Sequence, residues 1–170
     1  MLHLSHPIAE HYARAHMLGV GGIGMSGLAQ WLQSRGVTVS GCDLSDSPIT
    51  ARLRNAGIPV EQGHAPGHID GADLVVHTLA VGSDNPEIKT AREQGLHLVS
   101  RAQLLGQIMD EYPHSIAVAG THGKTTTTAL ITMLMNAAGL MPTVLLGGML
   151  DAIAGNAQIS DSPYFLAEAC

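Results

Sequence analysis

The chain has 170 residues, enough for one domain or for one domain and part of another. Hydrophobic residues make up 45% of it, which excludes intrinsic disorder. With 8 Lys and Arg against 14 Asp and Glu, the net charge of −6 argues against general nucleic-acid binding. The sequence has no apolar run near the ~20 residues of a membrane span and no signal-peptide pattern. We therefore expect a soluble, cytoplasmic protein with no membrane insertion.

Short apolar strands alternate with amphipathic helices along the first two thirds of the chain. The predicted strands are 15–20, 37–42, 58–61, 73–78 and 96–99, and the predicted helices are 25–35, 49–56, 87–94 and 102–110. This alternation is typical of a doubly wound α/β sheet with a ligand crevice at the carboxyl ends of its strands. We predict a Rossmann-like parallel-sheet domain over residues 1–112.

A second unit is predicted over residues 113–170. Its strands are 115–119, 143–146 and 164–168, and its helix is 126–138. Parallel sheets normally bury both faces, so a unit of two or three strands is incomplete. We expect the start of a P-loop ATPase domain in an N-terminal fragment. Such a unit should expose apolar surface around four leucines, namely Leu130, Leu134, Leu145 and Leu146.

The first motif, Gly19-Val-Gly-Gly-Ile-Gly24, lies between a predicted strand and a predicted helix. In a G-x-G-x-x-G turn, Gly19 permits the tight turn, Gly21 lets a phosphate approach the backbone, and Gly24 allows close packing of helix and strand. The helix N-terminus then offers N–H groups to a diphosphate. Asp43 ends the next strand about 20 residues on. The motif leaves NAD, FAD and a UDP-sugar open as ligands.

The second motif, Gly120-Thr-His-Gly-Lys-Thr-Thr126, also follows a strand and precedes a helix. It differs from a strict Walker A loop because Val118 stands six positions before Lys124. The Gly123-Lys124-Thr125 ending still carries the chemistry. Backbone N–H groups surround the phosphates, the lysine reaches their outer oxygens, and the threonine can hold Mg²⁺.

The ten histidines were considered as metal ligands. His64 and His68 have the i, i+4 spacing of a helical metal site, but Pro66 and Gly67 between them make such a helix unfavourable. We therefore predict no histidine metal site.

Several of these segments together resemble the Mur ligases of peptidoglycan synthesis. They are Gly21-Gly-Ile-Gly-Met-Ser26, Gly41-Cys-Asp43, Ala119-Gly-Thr-His-Gly-Lys-Thr-Thr-Thr127 and Gly147-Gly148, with further matches at 63–64, 84–87, 155–157 and 167–169. The resemblance implies a UDP-substrate domain followed by the first part of the ATP-binding domain. It also implies an ATP- and Mg²⁺-dependent ligase that joins L-alanine to UDP-N-acetylmuramate through an acyl phosphate.

The resemblance implies the following residue roles. The UDP substrate would be bound by Gly21, Gly22, Ile23, Gly24, Met25, Ser26, Asp43, His64, Thr78 and Ala80. ATP would be bound by Gly120, Thr121, His122, Gly123, Lys124, Thr125 and Thr126, with Lys124 and Thr125 catalytic and Mg²⁺ held by Thr125 and Glu168. The alternatives are a related ligase that adds a free tripeptide to UDP-N-acetylmuramate, and a non-catalytic nucleotide-binding module. The fragment alone is expected to be inactive.

Overall fold

The structure, a computed structural model, describes residues 7–169. The chain divides into two compact units, Met1–Leu104 and Leu105–Cys170. This division falls within a helix, Arg101–Asp110, upstream of the boundary that we predict at residue 112.

A five-stranded parallel sheet with helices organises the first unit, which confirms the predicted α/β class. The strands are β1 (Arg14–Leu18), β2 (Thr38–Asp43), β3 (Val60–Gln62), β4 (Leu74–His77) and β5 (His97–Ser100). The helices are α1 (Ile8–His11), α2 (Ile23–Ser34), α3 (Pro48–Asn55), a 3-10 turn (Pro66–Ile69), α4 (Pro86–Glu93) and α5 (Arg101–Asp110). The strand order is β3-β2-β1-β4-β5, and every neighbouring pair is parallel. This order places a topological switch point between β1 and β4.

The helix starts differ in a way that matters for ligand binding. The hydroxyl of Ser47 caps α3 by accepting a bond from the N–H of Thr50 at 3.2 Å, and Asn85 caps α4 through its side-chain oxygen. Helix α2 begins after Gly22 and has no side-chain cap. Its N-terminal dipole is therefore directed at the crevice without a competing side-chain acceptor.

The core of the first unit lies between the sheet and the helices on its faces. On α2, Leu28, Trp31 and Leu32 are almost completely buried, which agrees with their predicted i, i+3, i+4 pattern. On β1, Met17 and Leu18 are fully buried although they are adjacent in sequence. Adjacent strand residues face opposite sides of a sheet, so both faces of β1 are covered.

The second unit contains a four-stranded sheet, which has one strand in addition to the three predicted segments. Its elements are β6 (His114–Val118), α6 (Lys124–Ala137), β7 (Thr143–Leu150), a 3-10 turn (Asp151–Ile153), β8 (Gly155–Gln158) and β9 (Tyr164–Glu168). The order is β6-β9-β7-β8, with β8 antiparallel to β7. The sequence prediction missed β8 because its residues lack an apolar alternation and follow a tight turn at Ala154, whose φ is 51°.

The predicted exposure of four leucines is correct for two of them. Leu130 and Leu134 on α6 are 57% and 70% exposed, whereas Leu145 and Leu146 are buried. The last two lie on β7, an interior strand that pairs with both β8 and β9. The side chain of Leu146 packs with Val144 and Leu166, and Ile131 of α6 packs against this cluster. The prediction of exposure was therefore wrong for Leu145 and Leu146. No helix within residues 7–169 is long and apolar enough to cross a membrane.

Two glycine substitutions should test this packing, because they should change the free energy of unfolding in opposite directions. A Cβ at Gly41 on β2 would lie 2.8 Å from the carbonyl oxygen of Met17 and 2.8 Å from Val20 Cβ. We expect Gly41→Ala to lower the free energy of unfolding by about 1–3 kcal/mol, because the backbone must shift. Gly106→Ala on the exposed side of α5 meets nothing within 4 Å and should raise it by about 0.5–1 kcal/mol. Urea unfolding of both variants measures the difference, and equal effects would contradict the packing described.

Candidate functional site

The loop after β1 meets the loop after β4 at the switch point of the sheet. Gly19 has φ of 75°, and a Cβ there would lie 2.9 Å from Thr78 Cγ2. Glycine is therefore required both for the turn and for the close approach of the two loops. This agrees with the predicted role of Gly19. Thr78 and Ala80 form the opposite wall, where Thr78 Oγ1 accepts a bond from the N–H of Ala80 at 2.9 Å.

Asp43, at the end of β2, holds the glycine loop in place. Its Oδ2 accepts a hydrogen bond from the N–H of Gly21 at 2.9 Å. A Cβ on Gly21 would lie 2.7 Å from the same oxygen, so a larger residue would displace the carboxylate. Gly21 is thus needed for the contact with Asp43. The role predicted for Gly21 was instead to let a phosphate approach the backbone.

The neighbourhood of Gly24 differs from the prediction. A Cβ there would lie 3.1 Å from a guanidinium nitrogen of Arg101, and no strand atom is among its nearest neighbours. Gly24 therefore makes room for the Arg101 side chain. Arg101 is not among the predicted substrate-binding residues. Its signal was available, since it follows the carboxyl end of β5 directly, where an α/β sheet places its ligand-binding residues.

Four further predicted residues surround the start of α2. Gly22 and Ile23 lie at its open N-terminus, whereas Met25 and Ser26 are 1% exposed. The backbone N–H groups of Met25 and Ser26 donate to the carbonyl of Gly22 at 3.0 and 2.9 Å. The structure thus places these two residues behind the crevice wall, where they shape the loop without reaching its surface.

His64, at the loop after β3, is part of a buried polar cluster. Its Nδ1 lies 3.2 Å from Cys42 Sγ and 3.4 Å from Glu87 Oε2. Glu87 is fully buried at the start of α4 and also contacts His68 and His16. The sequence analysis missed this cluster because its members come from separate elements and share no local spacing.

Burial changes the protonation of two members of the cluster. Desolvation lowers the pKa of His16 to about 4, although the Glu87 carboxylate opposes the shift. Burial, with the hydrogen bond to Glu87 and its charge, raises the pKa of the Cys42 thiol above its usual range. At neutral pH, His16 is therefore uncharged and Cys42 is a thiol that donates to Glu87 Oε2 at 3.1 Å.

The second candidate site lies in the second unit, at the N-terminus of α6. The helix begins at Lys124, two residues earlier than predicted, so Lys124, Thr125 and Thr126 form its first turn. Gly123 precedes it in the left-handed conformation, with φ of 76° and no side-chain cap. Gly120, Thr121 and His122 form an exposed loop before it. The Lys124 ammonium donates to the carbonyl oxygen of Gly120 at 2.6 Å, across the loop.

A hydroxyl and a carboxylate meet beside this loop. Thr125 Oγ1 donates to Glu168 Oε2 at 3.1 Å, and the N–H of Gly147 donates to Glu168 Oε1 at 2.9 Å. A Cβ at Gly147 would lie 2.6 Å from Glu168 Oε2, and one at Gly148 would lie 2.9 Å from Thr125 Cγ2. The glycine pair therefore leaves room for two oxygen ligands of the kind that Mg²⁺ prefers.

Comparisons with known proteins identify relatives of this chain. Residues 14–113 match the Mur ligase family, catalytic domain. A UDP-N-acetylmuramate–L-alanine ligase of Acetivibrio thermocellus is 52% identical over 159 residues, which cover 94% of this chain and 34% of that protein.

Two solved structures are similar in fold. The UDP-N-acetylmuramate–alanine ligase of Thermotoga maritima has a TM-score of 0.86 at 35% identity, over 93% of this chain and 37% of that one. UDP-N-acetylmuramate:L-alanyl-gamma-D-glutamyl-meso-diaminopimelate ligase from Neisseria meningitides has the same TM-score at 31% identity, over 92% of this chain and 52% of that one. The chain spans about a third of the length of the curated relatives that it matches. The match of residues 14–113 to the family, together with the switch-point geometry, shows that the chain belongs to the Mur ligase family.

Proposed function

We propose that this chain provides the UDP-substrate site and the ATP phosphate loop of an ATP-dependent ligase that joins L-alanine to UDP-N-acetylmuramate. The relatives that are about 50% identical to this chain over nearly its whole length are named UDP-N-acetylmuramate–L-alanine ligase. In the proposed reaction, ATP phosphorylates the muramoyl carboxylate, and the amine of L-alanine attacks the resulting acyl phosphate. Attack by the amine releases phosphate and forms the amide bond.

The observation that carries the substrate site is the convergence of loops at the switch point of the first sheet. The predicted residues follow the carboxyl ends of β1, β2, β3 and β4, which all open at one edge. The uncapped N-terminus of α2 offers a positive dipole end for the diphosphate. Arg101 adds a guanidinium beside Gly24, suited to bidentate contact with phosphate oxygens. Asp43 fixes the loop, and the N–H of Gly63 donates to the Asp43 carbonyl oxygen at 2.8 Å. The neighbouring His64 would contact the sugar.

The observation that carries the ATP site is the geometry around α6. The first N–H groups of a helix have no acceptor within the helix, so Lys124, Thr125 and Thr126 can present theirs to phosphate. Lys124 would leave the carbonyl of Gly120 to neutralise charge on the transferring phosphoryl group. The Thr125 hydroxyl and the Glu168 carboxylate would hold Mg²⁺, which offsets phosphate charge when bound.

Arginine substitutions should test the substrate site. We expect one UDP-N-acetylmuramate per chain by calorimetry, and about 10–100-fold weaker binding for Arg101→Ala, because a charge-assisted hydrogen bond is lost. Arg92→Ala is the matched control, since Arg92 is exposed on α4 and lies in its last turn, away from the loops. Binding of NAD in place of the UDP-sugar would favour a dinucleotide-binding module and contradict the proposal.

The two lysines of the chain should test the ATP site. Residues 14–169 replace the matching segment of the Acetivibrio thermocellus relative, so that activity is measured in a full-length ligase. We expect Lys124→Ala to lower kcat by about 10²–10³-fold, because transition-state charge is no longer neutralised. Lys89→Ala is the control, since Lys89 pairs with Asp84 on the exposed side of α4 and should leave kcat unchanged. Equal kcat values for the two variants would contradict the role of Lys124.

A ligase that accepts a free tripeptide is the second candidate function. The Neisseria meningitides structure matches this chain with the same TM-score as the Thermotoga maritima structure. The fold alone therefore does not separate the two activities, whereas the identity of about 50% favours the alanine enzyme. Competition between L-alanine and the tripeptide, measured in the full-length protein that contains this chain, distinguishes them. Preference for the tripeptide would replace the proposed substrate.

A further inference from the structure

Four side chains from four separate elements bring potential metal ligands together in the first unit. They are His16 on β1, Cys42 on β2, His68 in the turn before β4, and Glu87 on α4. One ligand atom from each lies within 4.8 Å of the other three. Cys42 Sγ is 3.1 Å from Glu87 Oε2, and His68 Nδ1 is 2.8 Å from Glu87 Oε1. Sulfur, imidazole nitrogen and carboxylate oxygen are the ligands that zinc takes in proteins.

The His16 ring is the observation that points to a ligand. Within residues 7–169, its Nε2 is the buried side-chain nitrogen or oxygen that has no hydrogen-bond partner. The residue is 1% exposed, and this nitrogen lies 3.8 Å from Glu87 Oε2, inside the cluster. Its Nδ1 is 2.8 Å from Ser40 Oγ. In the tautomer in which Nδ1 donates to Ser40, Nε2 carries an unshared electron pair, which is how metal-binding histidines are oriented by a second partner.

The charges of the cluster also suit a divalent cation. As zinc ligands, a Cys42 thiolate and the Glu87 carboxylate would carry two negative charges, and the imidazoles of His16 and His68 would add none. A divalent cation would therefore give a buried centre with no net charge and would offset the buried charge of Glu87, whose carboxylate is held by hydrogen bonds from Cys42 and the N–H of Ala65. Burial and the neighbouring carboxylate keep Cys42 protonated when no cation is bound. Metal binding would form the sulfur–metal bond and release that proton to solvent.

We propose that His16, Cys42, His68 and Glu87 bind one Zn²⁺ in a tetrahedral, structural site. In tetrahedral zinc sites the ligand atoms lie about 3.3–3.8 Å apart, given bond lengths of about 2.0–2.3 Å. Glu87 Oε2 lies 3.1 Å from Cys42 Sγ and 3.8 Å from His16 Nε2, and the four ligand atoms all lie within 4.8 Å of one another. Side-chain movements of about 1 Å would bring them to this geometry. Four protein ligands leave no open position, which is the arrangement of a structural site.

The site would join the two central strands to the elements packed on one side of them. Ser40 and Cys42 lie beside His16 and Leu18 in the β1–β2 register, so His16 and Cys42 share one face of the sheet. His68 and Glu87 come from the segments that pack on that face. His64 is a fifth group at the edge, with its Nδ1 3.2 Å from Cys42 Sγ. Its partial exposure makes this edge the route by which a cation reaches the cluster.

Zinc content and cobalt spectroscopy of the untagged 170-residue chain test the proposal. After chelation and dialysis against Zn²⁺, elemental analysis should give one zinc per chain. Replacement by Co²⁺ should give thiolate-to-cobalt charge-transfer absorption together with the intense visible bands of tetrahedral cobalt. Cys42→Ser should abolish the thiolate band, and His68→Asn should weaken zinc binding by more than ~10-fold.

Two control variants leave the cluster intact. Cys170→Ser removes the other cysteine of the chain, and His114→Asn removes an exposed histidine on β6. Both should bind zinc like the unaltered chain. If Cys42→Ser does not fold, His68→Asn and the cobalt spectrum of the unaltered chain decide the question. The proposal is overturned if the unaltered chain binds no zinc, if cobalt binds without a thiolate band, or if His68→Asn and His114→Asn bind zinc equally. The cluster would then be a hydrogen-bonded network around Glu87.

Discussion

The reversal of strand order between β1 and β4 determines where chemistry can occur in the first unit. At this point the chain leaves β1 towards one side and β4 towards the other, so the loops after them separate and open a crevice. Gly19 allows these loops to approach through its positive φ and its lack of a Cβ. Asp43 then fixes Gly21, and Arg101 fills the space beside Gly24. Each contact depends on the parallel order of the strands.

Scarcity of lysine constrains how both units can hold phosphate. Lys89 and Lys124 are the two lysines of the sequence, and Lys89 on α4 pairs with Asp84, which precedes that helix. In the proposed sites, phosphate charge would therefore be met mainly by helix N-termini and backbone N–H groups, helped by Arg101 in the first unit and Lys124 in the second. Both α2 and α6 begin after a glycine and without a side-chain cap, unlike α3 and α4. An uncapped start weakens an isolated helix, and here it leaves the anion-binding end open.

Local sequence signals predicted the elements whose structure depends on local interactions. The strands and helices that were predicted in the first unit match the structure to within a few residues, because apolar periodicity and terminal glycines such as Gly57 and Gly95 act over single elements. The short α1 and the 3-10 turn at Pro66–Ile69 were not predicted. Non-local effects were missed. The burial of Leu146 depends on Leu166 of β9, which lies farther along the chain. Arg101 is close to Gly24 only because β5 is in the same sheet. The spacing of His64 and His68 gave no sign of Cys42 or Glu87.

The polar cluster and the substrate crevice share the end of β2. Cys42 and Asp43 are adjacent, so their side chains leave opposite faces of the strand: Cys42 enters the cluster and Asp43 holds the glycine loop. His64 belongs to both regions. Its Nδ1 faces Cys42 and Glu87 in the cluster, and the residue lies in the loop after β3, beside the crevice. In the proposed substrate site, His64 would then contact the sugar through Nε2, while the contacts of its Nδ1 with Cys42 and Glu87 orient the ring.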